Sequence, residues 1–324
     1  MAEWLVEHGI GEDRAILVDH GDIIAARLHR PGKLTAGLVT DAKLASRSSG
    51  ARRGTLLFDS GEEALVDALP RDAREGAPLR VVVTRAALAE KGRYKRAQAR
   101  PTDEPSRSAP SLIKALRASG QQARSVSRFP QDDWPEIIAE ALDGNIAFAG
   151  GALQISPTPA MTLIDVDGTL PPAQLARAAL PVIASAIRRF DLAGSIGIDF
   201  PSVEAREDRR TVDEGLLAAL SDWPHQRTAM NGFGFVQLVA RLERPSILST
   251  VQQDPARTGA LLLLRRAEDV SAPGSLLLVG HPQVISAISP PLRDELITRT
   301  GRSVSFKADP GLALLGGFAQ ALTS

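Results

Sequence analysis

The sequence predicts a mixed α/β (α+β) protein: a β-rich first hundred residues built around a small barrel, then an α/β region, then a smaller α/β tail. Three observations predict it. Short apolar runs separated by glycine and charged turns fill residues 1–100. Three prolines interrupt the pattern within 101–110, and beyond them helical and strand periodicities alternate.

The runs of the first part are AILVD (15–19), DIIAARL (22–28), AGLVT (36–40), TLLFDSG (55–61) and LRVVVTRA (79–86). Strands this short, at this spacing, suit a small barrel better than a layered α/β unit. PTDEPSRSAP (101–110) has no apolar periodicity, so a linker and a domain boundary are expected there. Then come helices at about 111–119 and 133–142, a two-strand ribbon through NIAFAGGALQIS (145–156) and a strand at MTLIDVD (161–167). A helix at about 172–190, the strand SIGIDF (195–200), a helix at about 207–221 and a mixed segment to about 245 complete this region. The tail reads as a helix near 256–269, the strand SLLLVG (275–280), two helices across 282–300, the strand SVSFKA (303–308) and a final helix from 311.

Composition narrows the function classes. The chain has 324 residues, 44% hydrophobic and 23% charged, which is ordinary for a globular protein. Lys plus Arg and Asp plus Glu both number 38, so contact with a phosphate backbone needs a local basic patch and gains nothing from net charge. There is no cysteine, which excludes disulfides, thiolate catalysis and Cys-ligated zinc. The start, MAEWLVEHGIGEDRAILVD, carries acids where a signal peptide has a basic region, and no run reaches the length of a membrane span. A cytoplasmic location, with no membrane partner, is the expectation.

Two apolar runs end in acids: Asp165 and Asp167 close TLIDVD, and Asp199 closes SIGIDF. Ligands of open α/β sheets bind at the carboxyl ends of strands, so if these strands are neighbours Asp165 and Asp199 face one crevice. An ionised carboxylate in an apolar run is costly unless it is paired or bound to metal, and a hard cation such as Mg2+ would meet that cost. The other reading is that each Asp caps the loop or helix that follows it.

IDVDGTL (164–170) matches the first motif of the haloacid dehalogenase-like phosphohydrolases, but Lys307 is the only later lysine and no acidic pair follows Asp309. A longer stretch resembles the catalytic region of the RNase E/G endoribonucleases. GGALQISPTPAMTLIDVDG (150–168) is similar to that family's ribbon and Ile-Asp-Ile-Asn strand. LAGSIGIDF (192–200) is similar to its Leu-Gly-Gly-x-Ile-x-Ile-Asp-Phe strand, and the register continues through Arg210, Val212 and Asp213. FGFVQLVARLERPSI (233–247) and SLLLVGHPQVISAI (275–288) resemble later segments of the family.

The resemblance implies that Asp165 and Asp199 hold Mg2+, with Mn2+ as a substitute, and that Asp167 replaces a supporting Asn. It implies metal-assisted hydrolysis of single-stranded RNA in RNA processing or decay, leaving 5′-phosphate ends. It also implies an architecture: N-terminal strands (1–32) packed on the catalytic region, an inserted oligonucleotide-binding barrel (33–100), the linker (101–110), an RNase H-like/DNase I-like catalytic α/β region (111–245) and a small C-terminal α/β subdomain (246–324).

Within the barrel the resemblance is carried by TLLFDSG and by GAPLRVVVTRAALAEKGRYKRAQARP (76–101), which gathers Arg85, Lys91, Arg93, Lys95, Arg96 and Arg100 around Tyr94. Such a segment can track phosphates while the aromatic stacks a base, whereas most charge runs are simply solvated. Lys91, Arg93, Tyr94, Lys95 and Arg96, with Arg210 and Arg227, are therefore the candidate RNA contacts. Leu57 stands where the family has a stacking Phe, and Phe58, one residue on, belongs to the other face of its strand. The family's 5′-monophosphate sensor has no room between the barrel and residue 130, so no dependence on the RNA 5′ end is expected. NGFGF (231–235) lacks the family's preceding His and Arg, for which Arg227 and Arg241 are the substitutes at hand. Zinc-linked pairing of protomers is excluded, so any homo-oligomer uses another surface. His225 and His281 are isolated and read as ordinary surface or core histidines.

Overall fold

The structure is a computed structural model. It describes residues 2–32, 34–90, 93–130 and 133–322, with the backbone alone at 89, 90, 93 and 94. β1 (Glu3–Gly9), β2 (Glu12–Asp19) and β3 (Asp22–His29) form an antiparallel meander, and β11 (Ala123–Val126) adds to β1 in parallel. Alternation along these strands serves two cores. Leu5, Ile16, Ala26 and Leu28 join the core of the α/β region, while Trp4, Val6, Ala15 and Ala25 pack under α1 (Leu112–Ala118). β11 is additional to the expected elements: ARSV has no apolar alternation of its own and is recruited by the open edge of β1.

A buried ionic cluster ties this sheet to the C-terminal part. Glu7 accepts hydrogen bonds from Arg14 Nη1 (2.5 Å), Arg265 Nε (2.9 Å) and Arg128 Nη1 (3.1 Å). Burial works against the charge of Glu7, but Arg265, Arg14 and Arg128 outweigh it and hold its carboxyl below the ordinary range.

β4 (Val39–Arg47), β5 (Arg53–Leu57), β6 (Glu63–Asp67), β7 (Pro78–Arg85) and β10 (Ala97–Pro101) close into a five-stranded barrel. Its strand order runs β4-β5-β6-β10-β7 and back to β4, and β6 with β10 is its one parallel pair. Leu44, Leu56, Phe58, Val66, Val81 and Val83 fill the interior. Between β7 and β10 the chain forms a hairpin, β8 (Leu88–Glu90) with β9 (Arg93–Lys95). The stretch read as a linker is bound along the barrel instead: Val39 and Arg107 exchange both backbone hydrogen bonds at 3.0 Å, and Ser106 Oγ donates to the Val39 carbonyl. Its prolines forbid helix, yet leave the residues between them free to pair as extended chain.

After α2 (Trp134–Asp143) come β12 (Asn145–Phe148), β13 (Gly151–Pro157), β14 (Thr162–Gly168), α3 (Pro172–Arg189), β15 (Gly194–Asp199), α4 (Arg206–Ala219), β16 (Gln226–Arg227) and β17 (Phe235–Ala240). The strands form one six-stranded sheet, β12-β13-β14-β15-β17-β16, in which only β14 and β15 are parallel. α3 covers one face. Its apolar stripe of Leu175, Ala179, Leu180, Ile183 and Ile187 recurs at three- and four-residue steps and shares a core with Ile164, Val166, Ile196 and Ile198.

The remainder holds α5 (Ile247–Gln253), α6 (Pro255–Glu268), β18 (Ser275–Gly280), α7 (Pro282–Ser286), α8 (Pro290–Thr300), β19 (Val304–Ala308) and β20 (Phe318–Leu322). The final helix expected from 311 does not form. Gly316 and Gly317 disfavour helix, and residues 318–322 complete a ladder on β18 as the third strand of a β19-β18-β20 sheet. Among the described residues no helix is long and apolar enough to cross a membrane.

Candidate functional site

The register of the parallel pair sets Asp165 directly beside Asp199. Adjacent strands lie about 4.8 Å apart, so carboxylates on one face in this register can reach a common cation. On β14, Ile164 and Val166 turn into the helix-covered core while Asp165 and Asp167 are exposed; on β15, Ile198 is buried and Asp199 exposed. This corrects the expectation that the acids sit in apolar surroundings. The runs alternate between a buried and a solvated face, and all three carboxylates stand on the solvated one. A second correction concerns position: β14 runs on through Asp167 to Gly168 against β13, and only its pairing with β15 ends at Asp165.

Partial burial, then the like charges of Asp167 and Asp199, push the Asp165 carboxyl above its ordinary range. Among the described residues no Lys or Arg pairs with Asp165, Asp167 or Asp199. The three therefore repel one another with nothing nearby to offset the charge. Among the described residues no group of three or more His, Asp or Glu is gathered tightly enough to hold a metal by itself. Mg2+ does not need such a cage, because it keeps several waters and binds through one or two carboxylates plus substrate phosphates. Two unneutralised oxygen donors in register on a wet face fit that requirement.

The surface beside the pair is partly apolar. Phe235 is the cross-strand partner of Asp199. A Cβ on Gly197 would come within 2.5 Å of the Phe235 ring, 2.9 Å of Met161 Sδ and 3.0 Å of Leu163, so glycine at 197 is what lets these side chains close over the sheet. Beyond the carboxyl ends of the strands, a cleft of about 690 Å³ opens between α4 and the 229–232 loop, lined by Arg206, Arg209, Arg210, Glu207, Asp213 and Met230.

Of the cations expected to hold RNA, the exposed Arg210 lines this cleft, 3.5 Å from Glu214. Arg227 does not approach the acids. It is paired with Leu238, whose side chain belongs to the helix-covered face, and there it donates to Asp213 Oδ1 at 2.6 Å. Asp213 also accepts from the Met230 backbone N–H, so the Arg227 pair braces the 229–232 loop. Arg241 is exposed beside Glu243 at 3.1 Å.

In the barrel, Lys91 lies outside the described residues, as do the side chains of Arg93 and Tyr94. Lys95 lines a small cavity with Met161 and Ser195, at the amino ends of β14 and β15, and Arg96 is exposed, 3.2 Å from Glu63. Arg85 is structural: it is buried and donates to Gln98 Oε1 and the Arg96 carbonyl. Leu57 is on the outer surface and Phe58 in the barrel core. His225 Nδ1 meets the Trp223 carbonyl and His281 caps α7, so both histidines have structural roles.

The sequence reading passed over one exposed residue of this end of the molecule, Phe233, at 82% relative accessibility. An aromatic between two glycines in a polar loop, NGFGF, was the available signal. The chain matches no known protein-family model, and no curated protein matches it.

Proposed function

We propose that the chain is a metal-dependent endoribonuclease that hydrolyses single-stranded RNA and leaves 5′-phosphate ends. One observation carries the reading: three carboxylates share a solvated sheet face, two of them in register at the end of the sheet's parallel pair, and among the described residues no Lys or Arg pairs with them. Carboxylates that serve stability are ordinarily paired or capping, and these are neither.

Asp165 and Asp199 are the residues that would hold Mg2+ or Mn2+, and Asp167, two residues along the same face of β14, adds a third negative charge beside them. A cation held by Asp165 and Asp199 would supply polarisation of a phosphoryl oxygen and orientation of a water for in-line attack. The chain's own groups bring the substrate there. The barrel's strand order, with its parallel third and fifth strands, supports reading it as an oligonucleotide-binding fold, in which the loop between strands four and five is one of two ligand-gripping loops. The strands β8 and β9 occupy that loop, and Lys95 sits where β9 meets the amino ends of β14 and β15. Arg210 offers a phosphate contact at the opposite end. Magnesium-dependent cleavage follows from the carboxylates, and single-strand preference from the barrel.

The test is incubation of a short unstructured RNA with the protein in magnesium, with and without a chelator, together with a generic phosphomonoester. Internal cleavage that the chelator abolishes is the expected result. Binding without cleavage in magnesium or manganese would mark an RNA-binding protein with decayed catalysis. Phosphomonoester hydrolysis with intact RNA would mark a haloacid dehalogenase-like phosphatase.

A further inference from the structure

Phe233 is by far the most exposed large apolar side chain of the described residues, at 82% against 53% for the next, Leu217. It is not on a slack loop. The Asn231 side-chain oxygen accepts from the backbone N–H of Phe233 (2.9 Å) and of Phe235 (3.0 Å), and the Asn231 N–H donates back to the Phe235 carbonyl at 3.1 Å. Gly234 has φ +89°, and any Cβ there would stand 2.4 Å from the Phe200 carbonyl oxygen, so the loop is pressed onto the residue that follows Asp199. The ring is thus held in water by a braced turn, two residues before Phe235, the cross-strand partner of Asp199.

Held rigidly in water, the ring keeps an apolar face that a partner outside the chain can cover. The adjoining cleft says what chemistry that partner has. Arg206, Arg209 and Arg210 line it against Glu207 and Asp213, and Asp213 is already neutralised by Arg227. Arg209 is committed to the Val203 and Glu204 carbonyls, whereas Arg206 and Arg210 are exposed. A flat apolar ring beside a cationic cleft matches a nucleobase with its adjoining phosphate.

We propose that Phe233 stacks a base of the RNA strand next to the phosphate held at Asp165 and Asp199, and that Arg206 and Arg210 take the phosphate beyond it. This subsite rests on the nuclease reading and deepens it. It puts an aromatic contact on the catalytic sheet's own loop, at the opposite end of β14 and β15 from the barrel hairpin. Stacking is tolerant of base identity, so the subsite adds affinity and position without sequence preference.

The test uses the full chain in chelator, where no cleavage occurs, with a fluorescein-labelled single-stranded decaribonucleotide. Phe233→Ala should weaken binding about 5- to 150-fold, the range that loss of one base stack gives. Phe233→Trp should retain affinity, and its added fluorescence should be quenched by the intact oligonucleotide but not by a chain of abasic ribose phosphates. Both variants should keep the wild-type melting temperature, because the ring is in water. Unchanged affinity of Phe233→Ala with no quenching in Phe233→Trp overturns the subsite even if wild-type protein cleaves RNA in magnesium. A change of oligomeric state in Phe233→Ala with unaltered RNA binding also overturns it, since the ring would then serve a protein contact. Wild-type protein that neither binds nor cleaves the oligonucleotide overturns the subsite together with the nuclease reading.

Discussion

The barrel and the six-stranded sheet each carry three acids within their strands, and they treat them in opposite ways. In the barrel, Asp41 meets Arg80 and Asp67 meets Arg53, each at 2.6 Å, and Glu63 meets Arg96 at 3.2 Å. In the sheet, Asp165, Asp167 and Asp199 share one face, no Lys or Arg among the described residues pairs with them, and partial burial together with the charges of Asp167 and Asp199 raises the carboxyl of Asp165. Both sets are exposed to water, so burial does not explain the difference. A paired acid is an accessory of the fold; a set of unpaired acids in register is a fold cost that only a ligand can offset. Substitutions should therefore separate the two classes: removing a paired acid lowers stability by an amount set by its burial and leaves activity alone, whereas removing an unpaired one abolishes activity without costing stability.

The largest stability effect is expected at the most buried pairing. Glu7→Ala leaves Arg14, Arg128 and Arg265 facing an empty anion site and should cost about 3–5 kcal/mol, read as a lower denaturant midpoint. Because pairing holds the Glu7 carboxyl low in the folded state, this contribution is present above the unfolded carboxylate pKa and is lost as pH falls through the folded value. Arg227→Ala comes next. It frees the half-buried Asp213 and should cost about 1.5–3 kcal/mol, as for other hydrogen bonds to charged groups, while loosening the 229–232 loop. A loss as large as that of Glu7→Ala would contradict the bracing role assigned to Arg227.

At the unpaired acids the sign reverses. Asp165 has a raised carboxyl, so the folded protein binds the proton more tightly than the unfolded chain, and metal-free stability falls as pH rises from the ordinary carboxylate value through the raised one. Asp165→Asn should therefore raise the melting temperature in chelator at neutral pH, and the gain should vanish below the ordinary carboxylate range. Magnesium should narrow the gap by stabilising the wild type alone. A destabilised Asp165→Asn in chelator would show that the carboxylate is structural. The smallest effect belongs to the barrel surface: Asp67→Ala should change stability by no more than about 1 kcal/mol, because exposed pairs contribute little.

How much was legible in the sequence differs between regions for physical reasons. The 172–189 helix and the strands TLIDVDG and GSIGID are read directly from apolar periodicity, because one face of each is buried. The setting of the acids was misjudged from the same letters. Leu163 and Gly197 look like more apolar run, yet they lie on the face that carries Asp165 and Asp199, opposite the helix-covered core, and only pairing shows it. β11 and β20 were missed because each forms on the edge of a distant strand, which no local pattern reports. Arg85 looked like part of a basic patch and is a buried strut, since charge runs carry no signature of direction.

The most direct test of the carboxylate pair is the rate of magnesium-dependent cleavage of one unstructured RNA by wild-type protein, Asp165→Ala, Asp199→Ala and the barrel control Asp67→Ala. Loss of a group that merely orients a metal ligand costs about 10- to 100-fold, so loss of either proposed ligand should cost at least about 100-fold. Both variants should keep a cooperative melt, and Asp67→Ala should cleave within about twofold of wild type, in line with the small worth of exposed pairs. Cleavage by Asp165→Ala or Asp199→Ala at the rate of Asp67→Ala would contradict the account.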